Sequence, residues 1–191
     1  MGMRSFIAIA VPQPLLDIVR LVQQDFRKSG FSFRWVKPEQ THLTLKFMAD
    51  LSEADQPAVL EALTETCTLF HPFSLSFQGI GVFPNVRNPR VLWIGMGGDT
   101  TSLIQLQQRL ERSIFEKTDH RIAAEDRPFK PHLTVARFKE RIVSDHLVTA
   151  LRRHTGLTSD PFTVSELHWI ESRLTPSGPI YRTLKSVRLG T

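Results

Sequence analysis

Apolar and polar positions along the chain switch between two periods. Arg4 to Val11 alternates as a strand and is ended by Pro12 and Pro14. Leu15, Ile18, Val19 and Val22 then recur at helical spacing as far as Arg27, with Ser29 and Gly30 as the stop. Trp35-Val36 reads as a short strand before Pro38, and Thr41 to Met48 as a longer one. Ser52, Glu53 and Asp55 mark a helix start, the acids suiting its positive end; Val59, Leu60, Leu63 and Cys67 form its inner face. Phe73 to Phe83 and Val91 to Met96 read as strands joined by the turn-rich Asn85 to Pro89. Leu103, Leu106, Leu110 and Ile114 mark another helix, Leu133 to Phe138 a strand, and Ile142, Val143, Leu147 and Leu151 a helix stopped near Gly156. Phe162 to Ile170 and Tyr181 to Leu189 close the chain as two strands about Pro176-Ser177-Gly178-Pro179. The hairpin-type links predict antiparallel pairing, and so an α+β class rather than a doubly wound sheet.

Composition narrows this picture. A length of 191 residues suits one domain over residues 1–191, built of two lobes. The longest apolar run, Phe6 to Val11, is far short of the roughly 20 residues that cross a membrane. No long apolar stretch follows Met1, so neither a secretory leader nor a membrane association is expected. The one cysteine, Cys67, lies at helical spacing from Leu63 and Phe70 and reads as a core thiol. Without a possible intrachain disulfide, a reducing compartment, the cytoplasm, is expected. The net charge of +5 favours phosphate-bearing partners without identifying one. Gly95-Met96-Gly97-Gly98 lacks the Lys and Ser/Thr of a phosphate loop and reads as a strand-to-helix turn. With neither Cys pairs nor a His-Glu-x-x-His motif, no metal and no cofactor are expected.

The chemistry lies in a repeat. Thr41-His42-Leu43-Thr44-Leu45-Lys46-Phe47 returns as Pro131-His132-Leu133-Thr134-Val135-Ala136-Arg137-Phe138, with His132 following His42 by 90 residues. Each copy precedes a segment of helical spacing, so two similar lobes related by a rough two-fold axis are expected. Strand alternation puts His42 with Thr44 on one face and Leu43 with Leu45 on the other, and divides His132 and Thr134 from Leu133 and Val135. A single His-x-Thr-x is usually an ordinary polar strand face. Two copies in matching context point to one shared cleft. His71, His120, His146, His154 and His168 have no such partner and read as structural or surface residues. Imidazole titrates near neutral pH, so one neutral and one protonated copy can serve as base and acid. Threonine hydroxyls can hold the charge on phosphoryl oxygens. The set suits phosphodiester chemistry.

The paired tetrapeptides resemble those of the 2H phosphoesterase superfamily. The surroundings resemble its RNA 2′,3′-cyclic phosphodiesterase branch, also called the 2′-5′ RNA ligase family. Arg34-Trp35-Val36, Gly81-Val82-Phe83-Pro84, Arg90-Val91-Leu92-Trp93, Glu171-Ser172-Arg173-Leu174 and Pro176 to Tyr181 carry that likeness over nearly the whole chain. The resemblance implies a bilobal α+β fold around a central cleft and metal-independent opening of a 2′,3′-cyclic phosphate at an RNA end, leaving a 2′-phosphate. It implies His42 as the donor to the departing 3′-oxygen and His132 as the base that activates water. It also implies a weak, ATP-independent reverse joining to a 5′-hydroxyl. The family's Gly soon after the first motif is Ala49 here, so the turn is expected to differ. Arg137 stands at the family's Arg position, yet regular alternation turns it away from His132 unless a bulge intervenes. Lys46 has the parity of His42 but equally reads as an exposed strand end, and Trp35 reads as a base-stacking or a core residue.

The expected substrate set is therefore His42, His132, Thr44, Thr134 and Arg137, acting on RNA ends in a monomer. The alternatives are a phosphodiesterase for a small cyclic nucleotide, a non-catalytic RNA-binding module, and a two-His metal site that lacks a carboxylate or cysteine nearby.

Overall fold

The computed structural model describes residues 2–139 and 144–190. Nine strands form one sheet and every pairing in it is antiparallel. The strands are β1 (Met3–Ala10), β2 (Arg34–Trp35), β3 (His42–Leu51), β4 (Phe73–Phe83), β5 (Val91–Gly98), β6 (His132–Arg137), β7 (Phe162–Val164), β8 (Glu166–Thr175) and β9 (Gly178–Arg188). The helices are α1 (Gln13–Lys28), α2 (Gln56–Thr68), α3 (Thr100–Lys117) and α4 (Ser144–Arg152). The sheet order is β7-β4-β5-β6-β3-β1-β8-β9, with β2 beside β6.

That order is a palindrome of two repeats. The unit β1-α1-β3-α2 recurs as β5-α3-β6-α4, and the motif strands β3 and β6 meet at the centre. A later strand of each half crosses to the other: β4, after the first unit, pairs with β5, and β8, which follows the short β7 after the second, pairs with β1. The fold is thus two antiparallel half-sheets joined at a seam, where Leu43 lies across from Leu133. Both leucines are buried in a core shared with Val19, Val22, Leu103 and Leu106 of the helices.

Local signals explain the elements. α1 ends where Gly30, at φ +83°, donates to the Arg27 carbonyl, and Arg27 and Lys28 in the last turn suit the negative helix end. Gly98, also at φ +83°, turns β5 into α3, and the Asp99 carboxylate then caps the Ser102 amide at 3.0 Å. Gly95 to Gly97 lie within β5, so the glycine-rich run ends as a strand-to-helix turn. α2 begins at Gln56, directly after Asp55 at its N-cap, whose side chain does not bond the helix amides. Ser52 and Asp55 bond each other in the preceding turn instead, the Asp55 amide donating to Ser52 Oγ at 3.1 Å. Cys67 is buried and free, and burial pushes its thiol up to about 12.

Two expectations change, and part of a third lies outside the described residues. The tail from Phe162 to Ile170 is two strands: β7 pairs with β4, the chain passes Ser165, and β8 joins β1 in the other half. The buried positions shift parity between the two, from Phe162 and Val164 to Leu167 and Trp169, a break that a single-strand reading passes over. β3 continues through Ala49 and Asp50 to Leu51, so no turn follows Phe47. Leu147 is buried in α4, while Ile142 and Val143 lie outside the described residues.

Candidate active site

The seam assembles the repeated residues. Leu43 and Leu133 pair and point into the core, so His42, Thr44, His132 and Thr134 flank them on the opposite face. Extending the antiparallel register by one residue sets His42 across from Thr134 and Thr44 across from His132. The four side chains form a square with the histidines on one diagonal, about 7–8 Å apart by backbone geometry, and the threonines on the other. All four line one cleft of about 510 Å³, together with Arg4, Arg34, Trp35, Gln40, Arg137 and Tyr181. Three arginines and no carboxylate line it among the described residues, so it favours anions.

Each imidazole is held in the same way. His42 Nδ1 lies 2.8 Å from the Gln40 carbonyl, and His132 Nδ1 lies 2.7 Å from the Lys130 carbonyl. A carbonyl can only accept, so Nδ1 carries the proton and Nε2 is the free base of each neutral ring. Their surroundings differ. His42 stacks on Phe6 at 4.3 Å and meets the edge of Tyr181 at 5.5 Å, and burial pushes it down to about 4. His132 meets Phe83 edge-on at 4.9 Å; burial lowers it, and the charge of Arg137 lowers it further. Both shifts favour the neutral ring at neutral pH.

A β-bulge on each motif strand settles the two cationic candidates. On β3, Thr44 faces Ala8 and Lys46 faces Ile7, which leaves Leu45 as the extra residue. On β6, Thr134 faces Trp93 and Ala136 faces Leu92, which leaves Val135 extra. Each bulge reverses the parity beyond it. Arg137 consequently joins His132 on the cleft face. Lys46 leaves that face: it is buried, ion-paired with Glu111, and donates to the Ala123 carbonyl at 2.7 Å. Lys46 is neither of its expected alternatives, since the bulge turns it into the interior.

Trp35 lines the cleft, with the Arg27 guanidinium 4.6 Å from its ring centroid. The remaining histidines lie elsewhere; His154 bonds Asp25 at 2.9 Å and His168 bonds Ser186 at 2.8 Å. Sequence reasoning missed Arg4, Phe6, Gln40 and Tyr181 as cleft residues. Arg4 and Phe6 share a face of β1 beside the first motif, a parity that could have revealed them. The Gln40 amide reaches the Pro179 carbonyl at 2.7 Å and ties the approach to His42 onto β9, a contact with no local signal.

Comparison with known proteins gives the family. The family model of the 2′-5′ RNA ligase superfamily matches residues 16–175. The chain belongs to this superfamily of 2H phosphoesterases. An RNA 2′,3′-cyclic phosphodiesterase of Methanothermobacter thermautotrophicus is 33% identical over 189 residues, covering 99% of this chain and 100% of that one. A protein of the same name from Archaeoglobus fulgidus is 34% identical, covering 96% and 98%. A Thermus thermophilus crystal structure superposes with a TM-score of 0.82 at 29% identity, covering 98% of each chain. E. coli LigT complexed with 3′-AMP has a TM-score of 0.75 at 24% identity over the whole of both chains, a likeness of fold.

Proposed function

We propose that this superfamily member opens the 2′,3′-cyclic phosphate at an RNA end by two-histidine acid–base catalysis, leaving a 2′-phosphate. Relatives named for that activity match along their full length. The observation that carries the mechanism is the diagonal placement of two imidazoles whose Nδ1 atoms are committed to backbone carbonyls. Displacement at phosphorus needs the entering and leaving oxygens on opposite sides. A phosphorus over the centre of the square has one Nε2 on each side.

His132 Nε2 takes a proton from the attacking water as its oxygen bonds phosphorus. The bond from phosphorus to the 3′-oxygen breaks, and protonated His42 Nε2 delivers its proton to that oxygen. Thr44 and Thr134, on the other diagonal, donate to the non-bridging oxygens, and Arg137 balances their charge. The donor assignment for His42 follows the family. Burial opposes a proton on His42, and the charge of a bound phosphate anion offsets that by stabilising the imidazolium. Acid, base and charge-stabilising groups are all side chains, so the reaction needs no metal or cofactor. Microscopic reversibility allows weak joining of the cyclic phosphate to a 5′-hydroxyl. The protein acts as a cytoplasmic monomer; among the described residues no helix is long and apolar enough to cross a membrane.

The test is product analysis with an RNA oligonucleotide ending in a 2′,3′-cyclic phosphate, in excess chelator. The expected product is a 2′-phosphate, formed faster than from a cyclic mononucleotide. A 3′-phosphate, RNA binding without turnover, or a rate lost with chelator and restored by a divalent ion would each overturn the corresponding part of the reading.

A further inference from the structure

Behind the cleft the two repeats exchange a second pair of residues, Gln23 of α1 and Gln107 of α3, both buried on helix faces that are otherwise largely apolar. An amide placed there is costly unless its polar atoms are used. Each is used on a bulge, and each reaches across to the other repeat. Gln23 Nε2 donates to the carbonyl of Val135, the extra residue of β6, at 3.2 Å. Gln107 Nε2 donates to the carbonyl of Leu45, the extra residue of β3, at 3.3 Å. The bulged residue following each motif threonine is thus held from behind by a glutamine of the opposite half.

The two bulges have different consequences for the cleft. Without its bulge, β6 would alternate Leu133, Val135 and Arg137 onto the core face. With it, Ala136 turns inward and Arg137 reaches the phosphate side. The Gln23 amide also donates to the Val36 carbonyl at 2.7 Å, fixing the segment whose Arg34 pairs with Arg137 across the β2–β6 ladder. We infer that Gln23 is a positioning residue for substrate phosphate: it locks the Val135 bulge and acts on the cleft through Arg137, which the bulge holds on the cleft face. Gln107 is its structural counterpart, and its bulge turns Lys46 into the interior. This inference rests on the reading of Arg137 as a phosphate ligand.

The experiment is a double-mutant cycle on the same cyclic-phosphate RNA, with Gln107→Met as the comparator. Arg137→Ala is expected to lower kcat/KM about 10- to 100-fold, the usual worth of a charge-assisted contact. Gln23→Met, similar in shape but without donors, is expected to lower it about 10-fold or more through misplacement. Gln23→Met combined with Arg137→Ala should be no slower than Arg137→Ala alone, because the arginine that Gln23 positions is already gone. Gln107→Met should lower the thermal midpoint comparably while kcat/KM stays within about threefold, its bulge bearing no cleft cation. If Gln23→Met does not fold, Gln23→Asn, which keeps the amide but withdraws it by one methylene, takes its place in the cycle. Losses that multiply in the double variant would overturn the inference and leave Arg137 a ligand. A wild-type rate in Arg137→Ala would overturn both the inference and the ligand reading.

Discussion

His42 lies between an aromatic face and an aromatic edge, Phe6 and Tyr181, whereas His132 meets the edge of Phe83 and has a guanidinium nearby. The backbone around them is almost the same twice: a His-x-Thr-x strand, an Nδ1 bond to the carbonyl two residues back, and a bulge after the threonine. Beyond the bulge the halves part. At corresponding places the second half offers Arg137 to the cleft, whereas the first carries Phe47, which does not line it and has Arg4 of the neighbouring strand 4.4 Å from its ring. A near-symmetric scaffold can thus present two equivalent nitrogens to one phosphorus. Its unequal surroundings then make one imidazole drier than the other. Symmetry sets one nitrogen on each side of a phosphate, and burial makes the proton costly on His42, so the donor role proposed for it rests on the bound phosphate anion.

The strongest way to break this comparison is to remove one histidine at a time. His42→Ala and His132→Ala should each lower turnover by about 10²–10⁴, the range of a positioned acid or base. Single-turnover rates with the cyclic-phosphate RNA measure this. Near-wild-type rates in either folded variant would mean that the two halves do not share the chemistry. Thr44→Ala and Thr134→Ala should follow, with losses up to about 10²–10³ if each hydroxyl acts as an oxyanion donor. Unequal losses would show which side of the phosphoryl group gains more charge.

The cations give a smaller test with opposite expectations for kinetics and stability. Lys46 is buried against Glu111, so Lys46→Met leaves a largely buried carboxylate without its cation and should cost on the order of 3 kcal/mol. Chemical denaturation reads that loss, and kcat/KM of the remaining folded enzyme should hold within about threefold because Lys46 does not line the cleft. A large kinetic loss at full stability would return Lys46 to the phosphate side and remove the contrast with Arg137.

These two residues also show where the sequence is readable. The repeat is plain in His42, Thr44, His132 and Thr134, because period-2 alternation and a matched tetrapeptide are local signals. The helices with apolar stripes, such as Leu103, Leu106, Leu110 and Ile114, are equally legible, and all four residues are buried. Lys46 and Arg137 are ambiguous because a bulge has no marker in either motif. It is held by Gln23 and Gln107, which are distant in the chain and look like ordinary polar helix positions. The exchange of β4 and β8 between halves is hidden for a similar reason. Alternation defines a strand's faces, not its partner; within Phe162 to Ile170 only the parity shift after Val164 marks the break between two strands.

The pH dependence separates the two imidazoles by sign rather than by size. In the free enzyme both titrate below the ordinary value, His42 at about 4, so the singly protonated pair is most populated on the acid side of neutrality. The kcat/KM profile, which reports free enzyme, should be a bell centred below about pH 6.5, with its alkaline limb falling before neutrality. Bound phosphate favours the charged imidazole and raises both values, so the kcat bell should lie at higher pH. If His42 is the donor, residual kcat in His42→Ala requires only that His132 be neutral: it rises with pH to a plateau and loses the alkaline limb. Residual kcat in His132→Ala requires only protonated His42: it falls with rising pH and loses the acid limb. Arg137→Gln, by removing a charge that lowers His132, should move the His132 limb upward while the threonine variants keep the wild-type bell. Profiles for these variants with chemistry rate-limiting provide the check. The opposite limbs surviving in the two histidine variants would exchange the roles of His42 and His132, and a flat wild-type profile would remove paired acid–base catalysis from the cleft.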